Sequence, residues 1–141
     1  MNVPVVLDTN AIICLFRGES EDVKRAVMGA SRIVIPLTVF GEFMAGIEAA
    51  NGRRQPEADL FEEFLSVPNT SVNRPSEVAA HYYAKIFACL RRQGTPIPAN
   101  DIWIAAETME VGGRLVSLDG HYSNVPMLNW TKCEQALSAG G

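Results

Sequence analysis

The chain has 141 residues, 48% of them hydrophobic and 20% charged. That is the size and balance of one soluble globular domain, able to bury roughly two-thirds of the surface its unfolded form exposes. A formal net charge of −4 excludes a protein that coats nucleic acid through a broad basic face. It does not exclude an enzyme acting on nucleic acid, since acids that bind a divalent metal make the formal count too negative.

Val3 to Leu7 is a short apolar run rich in β-branched residues and reads as a buried strand. It stops at Asp8-Thr9-Asn10, three residues that favour helix N-caps, and a short helix follows from Ala11 to Phe16, ending near Gly18. Glu19 to Ala30 reads as a second helix with an acidic start. Arg32 to Ile35 is the next buried strand. Pro36 ends it, and Thr38 is placed to cap a helix from Val39 to about Ala50, closed by Asn51-Gly52. Pro56 opens another helix carrying Leu60, Phe61, Phe64 and Leu65, and Thr70 to Asn73 is a short strand candidate.

Pro75-Ser76 starts a long amphipathic helix with Val78, Tyr82, Ile86 and Leu90 on one stripe, ended by Gly94. Thr95 to Asn100 reads as a loop. The helix from Ile102 to about Val111 is apolar on most sides, so it is expected at the centre, with Gly112-Gly113 closing it. Leu115 to Leu118 is a strand ended by Asp119-Gly120, and Pro126 to Trp130 is a last, peripheral strand. Residues 1–137 are expected to form one domain and 138–141 a short tail. Buried strands separated by helices imply a three-layer α/β/α sandwich around a mostly parallel sheet, with function beyond the carboxyl ends of its strands.

No stretch approaches the ~20 apolar residues of a membrane helix, and the N-terminus lacks a signal-peptide pattern. The three cysteines, Cys14, Cys89 and Cys133, are odd in number and without metal-ligand spacing, so they read as small hydrophobes. The expectation is a cytoplasmic protein with no membrane association.

Four acids stand where such a fold brings function together. Asp8 and Asp119 each follow a buried strand, Asp101 opens the most buried helix, and Glu42 lies early in its own. Carboxylates gathered at one edge repel and raise one another's pKa, and a divalent cation relieves this. Oxygen-only ligands select hard cations such as magnesium. Taken singly, Asp8 and Asp101 also read as helix caps, Asp119-Gly120 as a turn and Glu42 as solvated surface. The pairs Arg53-Arg54 and Arg91-Arg92 read equally as phosphate contacts or as solvated helix ends.

The joint pattern resembles the PIN-domain family, and within it the VapC-type toxins of bacterial and archaeal toxin–antitoxin pairs. The resemblance runs through VVLDTNAII, IPLTVFGEFMAGI, IPANDIWIAA and LVSLDGHYSNVPMLNW, nearly the whole chain. It implies a metal-dependent endoribonuclease whose catalytic and metal-binding acids are Asp8, Glu42, Asp101 and Asp119, with Mg2+ or Mn2+ as cofactor. Thr9, Asn10 and Ser117 match the family's polar positions near the metal. Asn100 precedes the third acid, either as a cap or near substrate, and His121 beside Tyr122 is either a structural residue or a phosphate or base contact. The implied partners are an RNA substrate, a cognate antitoxin protein and a second copy of the chain. A PIN-like housekeeping RNA-processing or DNA nuclease and an inactive PIN-like binding module are the alternatives. A phosphatase with Asp8 as nucleophile ranks below these, because Asp8-Thr9-Asn10 lacks the second aspartate such enzymes use and no lysine follows the later strand.

Overall fold

The computed structural model describes residues 3–136. The anticipated tail, 138–141, lies outside the described residues. The elements run β1 (Val5–Leu7), α1 (Thr9–Arg17), α2 (Glu21–Met28), β2 (Ile33–Ile35), α3 (Leu37–Ala49), α4 (Gln55–Leu65), β3 (Thr70–Val72), α5 (Glu77–Gln93), α6 (Ala99–Glu110), β4 (Arg114–Ser117), a 3-10 turn (Gly120–Asn124) and β5 (Trp130–Lys132).

The five strands form one sheet in the order β3-β2-β1-β4-β5, and every pairing is parallel. The order explains where a site can form. The chain moves outward from β1 to β2 to β3, then returns to lay β4 on the other side of β1. With right-handed crossovers, that reversal puts α1 to α4 on one face and α5 and α6 on the other. The crevice where the direction reverses lies beyond the carboxyl ends of β1 and β4.

The central strands are apolar on both faces because both are covered. Val5, Val6, Leu7, Ile33, Val34, Ile35, Leu115 and Val116 are all buried. On α6, Ile102, Ile104, Ala105 and Ala106 are buried as well, as the apolar-on-most-sides pattern anticipated. The long helix α5 buries Ala79, Ile86 and Leu90, and Tyr83 stacks on Trp103 of α6 with ring centroids 4.3 Å apart. An aromatic group of Phe16, Phe43 and Phe61 joins α1, α3 and α4, with Phe43 and Phe61 centroids 4.2 Å apart. Cys14 and Cys133 are buried and Cys89 is partly so, all as free thiols.

α1 and α2 differ from expectation by one or two residues at their ends, and three further boundaries differ for a specific reason. α3 starts at Leu37 with no side-chain cap from its own segment, so Thr38 is a helical residue. α6 starts at Ala99, and its N-cap is Pro98, again without a side-chain hydrogen bond. The segment expected as a loop therefore gives two residues to the helix, because Pro98 has the φ a helix entry needs and Ala99 favours helix. The last strand is Trp130–Lys132 rather than Pro126 to Trp130. Met127 adopts φ +65°, a left-handed turn that breaks an extended run just before it could pair.

Gly113 is fixed by space. A Cβ there would lie 2.5 Å from Val6 Cγ2 and 3.1 Å from the Pro4 carbonyl oxygen, where the chain enters β4 against β1. Gly113→Ala is expected to cost about 1–3 kcal/mol through this overpacking. Urea denaturation checks it, and an unchanged midpoint would mean that β1 gives way freely at Val6.

Candidate metal centre

Each acid is delivered by a distinct element to the carboxyl edge of β1 and β4. Asp8 directly follows β1 and is 5% exposed. One of its oxygens caps α1, accepting from the Thr9 amide at 2.8 Å. The other accepts from the Ser117 hydroxyl at 2.8 Å and lies 3.5 Å from the Asn10 amide nitrogen. The cap and the bond from Ser117 thus use different atoms of one carboxylate, so the capping role leaves room for a site role.

Ser117 ends β4, and its hydroxyl also accepts from the Asp119 amide at 3.0 Å. Asn10 ties the two strand ends together, since its side-chain oxygen accepts from the Leu118 amide at 3.0 Å. Thr9 donates to Glu42 Oε1 at 2.7 Å, and the Asn100 side chain lies 3.4 Å from Glu42 Oε2. Asn100 therefore reaches across to α3 rather than capping α6. Glu42 sits in the second turn of α3, not the first, because that helix begins earlier than expected.

Asp101 lies in the first turn of α6 and is not its cap. Asp119 is two residues past β4 and caps the 3-10 turn, accepting from the His121 amide at 3.1 Å. His121 stands between these two acids. Its Nε2 is 2.7 Å from Asp101 Oδ2 and its Nδ1 is 2.9 Å from Asp119 Oδ1. Ligand-capable atoms of Asp101, Asp119 and His121 all fall within 4.8 Å of one another. The compact donor set is therefore these three residues, and Asp8 and Glu42 flank it.

The electrostatics follow from the crowding. Burial pushes the Asp8 carboxyl up to about 6; the Asp101 charge adds to this, while bonds from Ser117 and Thr9 pull it down. Asp101 is raised for the same reason, burial first, with Glu42 adding repulsion and His121 and Tyr122 opposing. Tyr122 is fully buried. Its hydroxyl faces Asp8 and Asp101 but makes no well-directed hydrogen bond, and burial together with those two charges drives its pKa up. A buried donor without a partner, at the back of a group of acids, fits a site whose last member is a cation and its waters. Tyr122 carried no site role in the sequence, because an aromatic after a strand is ordinarily core.

The basic pairs divide. Arg53 donates to the Ala50 carbonyl at 2.8 Å, and Arg54 pairs with Glu57 and lies over the Phe43 ring, so this pair is structural. Arg91 and Arg92 are exposed at the end of α5. Arg91 borders an apolar cleft of about 370 Å³ lined by Phe87, Leu90, Pro96, Ile97 and Ile102, the last adjacent to Asp101. His81 is exposed on α5, remote in sequence from the acids. No helix among the described residues is long and apolar enough to cross a membrane.

Comparison with known proteins agrees with this fold. A family model described as the PIN domain matches residues 5–128. A protein named Ribonuclease VapC1 from Haemophilus influenzae is 26% identical over 129 residues, covering 89% of this chain and 94% of that protein. Among solved structures, VapBC2 from Rickettsia felis, bound to a DNA fragment from its promoter, superposes with a TM-score of 0.81 at 19% identity, over 93% of this chain and 99% of that one. VapBC-5 of Mycobacterium tuberculosis, a member of the VapBC family of toxin–antitoxin systems, gives 0.69 at 19% identity, over 92% and 97%.

Proposed function

Because the chain belongs to the PIN-domain family, we propose that it is a magnesium-dependent endoribonuclease that hydrolyses RNA phosphodiester bonds. We read it as the toxin of a toxin–antitoxin pair, acting in the cytoplasm as a homodimer and silenced by a cognate antitoxin. The observation that carries the reading is the meeting of Asp8, Glu42, Asp101 and Asp119 at the topological switch point, with Asp8 and Asp101 both driven toward protonation.

The donor chemistry fits a hard divalent cation, Mg2+ or Mn2+. When bound, the cation polarises a phosphate oxygen and lowers the pKa of a bound water. Asp101 and Asp119 are the residues that would hold it, with Asp8 behind them. Ser117 and Asn10 fix Asp8, and they do so from the end of β4 and the start of α1, so the carboxylate cannot swing away as charge develops. Thr9 fixes Glu42 through one oxygen; the other, 3.4 Å from the Asn100 side-chain nitrogen, keeps a lone pair to orient the attacking water and accept its proton. The partners are inferred from the relatives, whose names pair a ribonuclease with toxin–antitoxin complexes.

The test is incubation of the purified chain with end-labelled total RNA and, separately, single-stranded DNA, in magnesium and in EDTA. Discrete RNA fragments in magnesium alone are the expected result. Cleavage of DNA instead would make it a PIN-like DNA nuclease. Absence of both activities with no cation bound would overturn the reading.

A further inference from the structure

We propose that His121 is itself a metal ligand, through Nε2, and that it raises this centre's affinity for manganese(II) and similar transition cations while leaving its affinity for magnesium nearly unchanged. The proposal rests on the reading that the acids hold a divalent cation, and it adds a nitrogen donor to them.

Three observations carry it. The first is position: the imidazole is wedged between Asp101 and Asp119, and the ligand-capable atoms of all three lie within 4.8 Å of one another. Donors at metal bond lengths of about 2.0–2.2 Å can be no more than about 4.4 Å apart across the ion, so adjustments of a few tenths of an ångström would seat one. The second is that Nε2 is buried and, although 2.7 Å from Asp101 Oδ2, makes no well-directed hydrogen bond. It is close to an acid yet poorly satisfied by it. The third comes from a different side chain. The fully buried Tyr122 hydroxyl faces Asp8 and Asp101 and likewise makes no well-directed hydrogen bond to either, so a second buried polar group turns toward the same acids.

The other ring nitrogen completes the arrangement. Nδ1 lies 2.9 Å from Asp119 Oδ1. A ligating histidine usually donates its remaining N–H to a carboxylate, which orients the ring and strengthens the donor. The backbone supports the same orientation, because Asp119 Oδ1 also accepts from the His121 amide. Carboxylate and water suit magnesium and manganese alike, and imidazole suits the later transition cations best; manganese(II), the weakest binder of that series, still accepts a nitrogen donor where magnesium keeps its waters. Adding Nε2 to two carboxylates therefore raises affinity for manganese without doing the same for magnesium.

The experiment uses the full chain stripped of metal by chelator. Manganese(II) is added, and spin-echo modulation from nitrogen-14 on the bound ion is recorded; calorimetry then gives Mn2+ and Mg2+ affinities for wild type and His121→Ala. Nitrogen modulation is expected in the wild type. In His121→Ala it should be lost, with Mn2+ binding weakened at least about tenfold and Mg2+ binding changed by less than about threefold. His81, the other of the two histidines in the chain, serves as control through His81→Ala. Manganese bound without nitrogen modulation in the wild type would overturn the proposal and leave the acidic centre standing. Equal weakening of both cations in the variant would also overturn it, as a general disruption of the site. If neither cation binds the wild type, the metal-dependent reading falls with it. The wild-type spectrum needs no variant, so a His121→Ala protein that fails to fold leaves the decision intact.

Discussion

Asp8→Asn is expected to lower RNA cleavage by at least about a hundredfold while making the metal-free protein more stable at neutral pH. The two effects have one cause. Asp8 is 5% exposed, and burial together with the Asp101 charge lifts its carboxyl from 3.8 to about 6. Between those values the folded protein holds a proton that the unfolded chain has released. Stability contributed by this group is therefore full below about pH 4, falls as pH rises to about 6, and stays low above it. A shift of that size corresponds to roughly 3 kcal/mol, an upper figure for what removing the charge returns. Asparagine keeps the α1 cap but weakens the bond from Ser117, so a net gain of about 1–2 kcal/mol is expected at pH 7.5.

Urea denaturation from pH 4 to pH 8 checks it. The wild type should weaken across the acidic half of that range, and Asp8→Asn should weaken less. Added magnesium should stabilise the wild type at neutral pH and stabilise the variant less. A variant less stable than wild type at every pH would make Asp8 a structural cap and remove it from the proposed centre.

Glu107→Ala is expected to cost roughly 3–4 kcal/mol. Glu107 is 2% exposed. Its carboxylate accepts from the Leu37 amide at 2.7 Å, from the Thr38 amide and hydroxyl at 3.1 and 2.8 Å, and from the Asn73 side chain at 3.0 Å. It is the cap that α3 lacks in its own segment, supplied from α6, and it places a negative charge at the positive end of that helix. Truncation leaves buried donors without partners. Because α3 carries Glu42 and α6 carries Asp101, the same contact sets the spacing of two site acids. Glu107→Gln, which keeps one acceptor oxygen, should fold with about half the loss and still cleave RNA more slowly. A Glu107→Ala protein within about 1 kcal/mol of wild type would show that water satisfies the start of α3 unaided.

What could be read along the chain was whatever local chemistry decides. The apolar β-branched runs before Asp8 and around Val34 could only be buried strands. The glycines at 18, 52 and 94, each with positive φ, lie where helices were expected to stop. The four acids, each placed after a strand or early in a helix, were nominated as a group, but the strand order that brings their elements to one edge is seen only in the folded sheet.

Other features depended on contacts between distant segments. Glu107 looked like one more glutamate on a helix; its importance comes from two amides 70 and 69 residues away. The same distant cap moved the start of α3 from Val39 to Leu37 and so moved Glu42 into the second turn. Tyr122 and His121 follow a strand in sequence, and nothing local distinguishes an aromatic that fills the core from one whose hydroxyl faces two acids. Sequence by itself determined the parallel α/β architecture, because hydrophobic period and capping chemistry act over a few residues, and it nominated the four acids through the joint pattern that resembles the PIN-domain family. Tertiary structure alone decided which oxygens remain free, which acids share the compact donor set, and that an imidazole stands between two of them, because burial, repulsion and unmet hydrogen bonds exist only once distant segments are packed together.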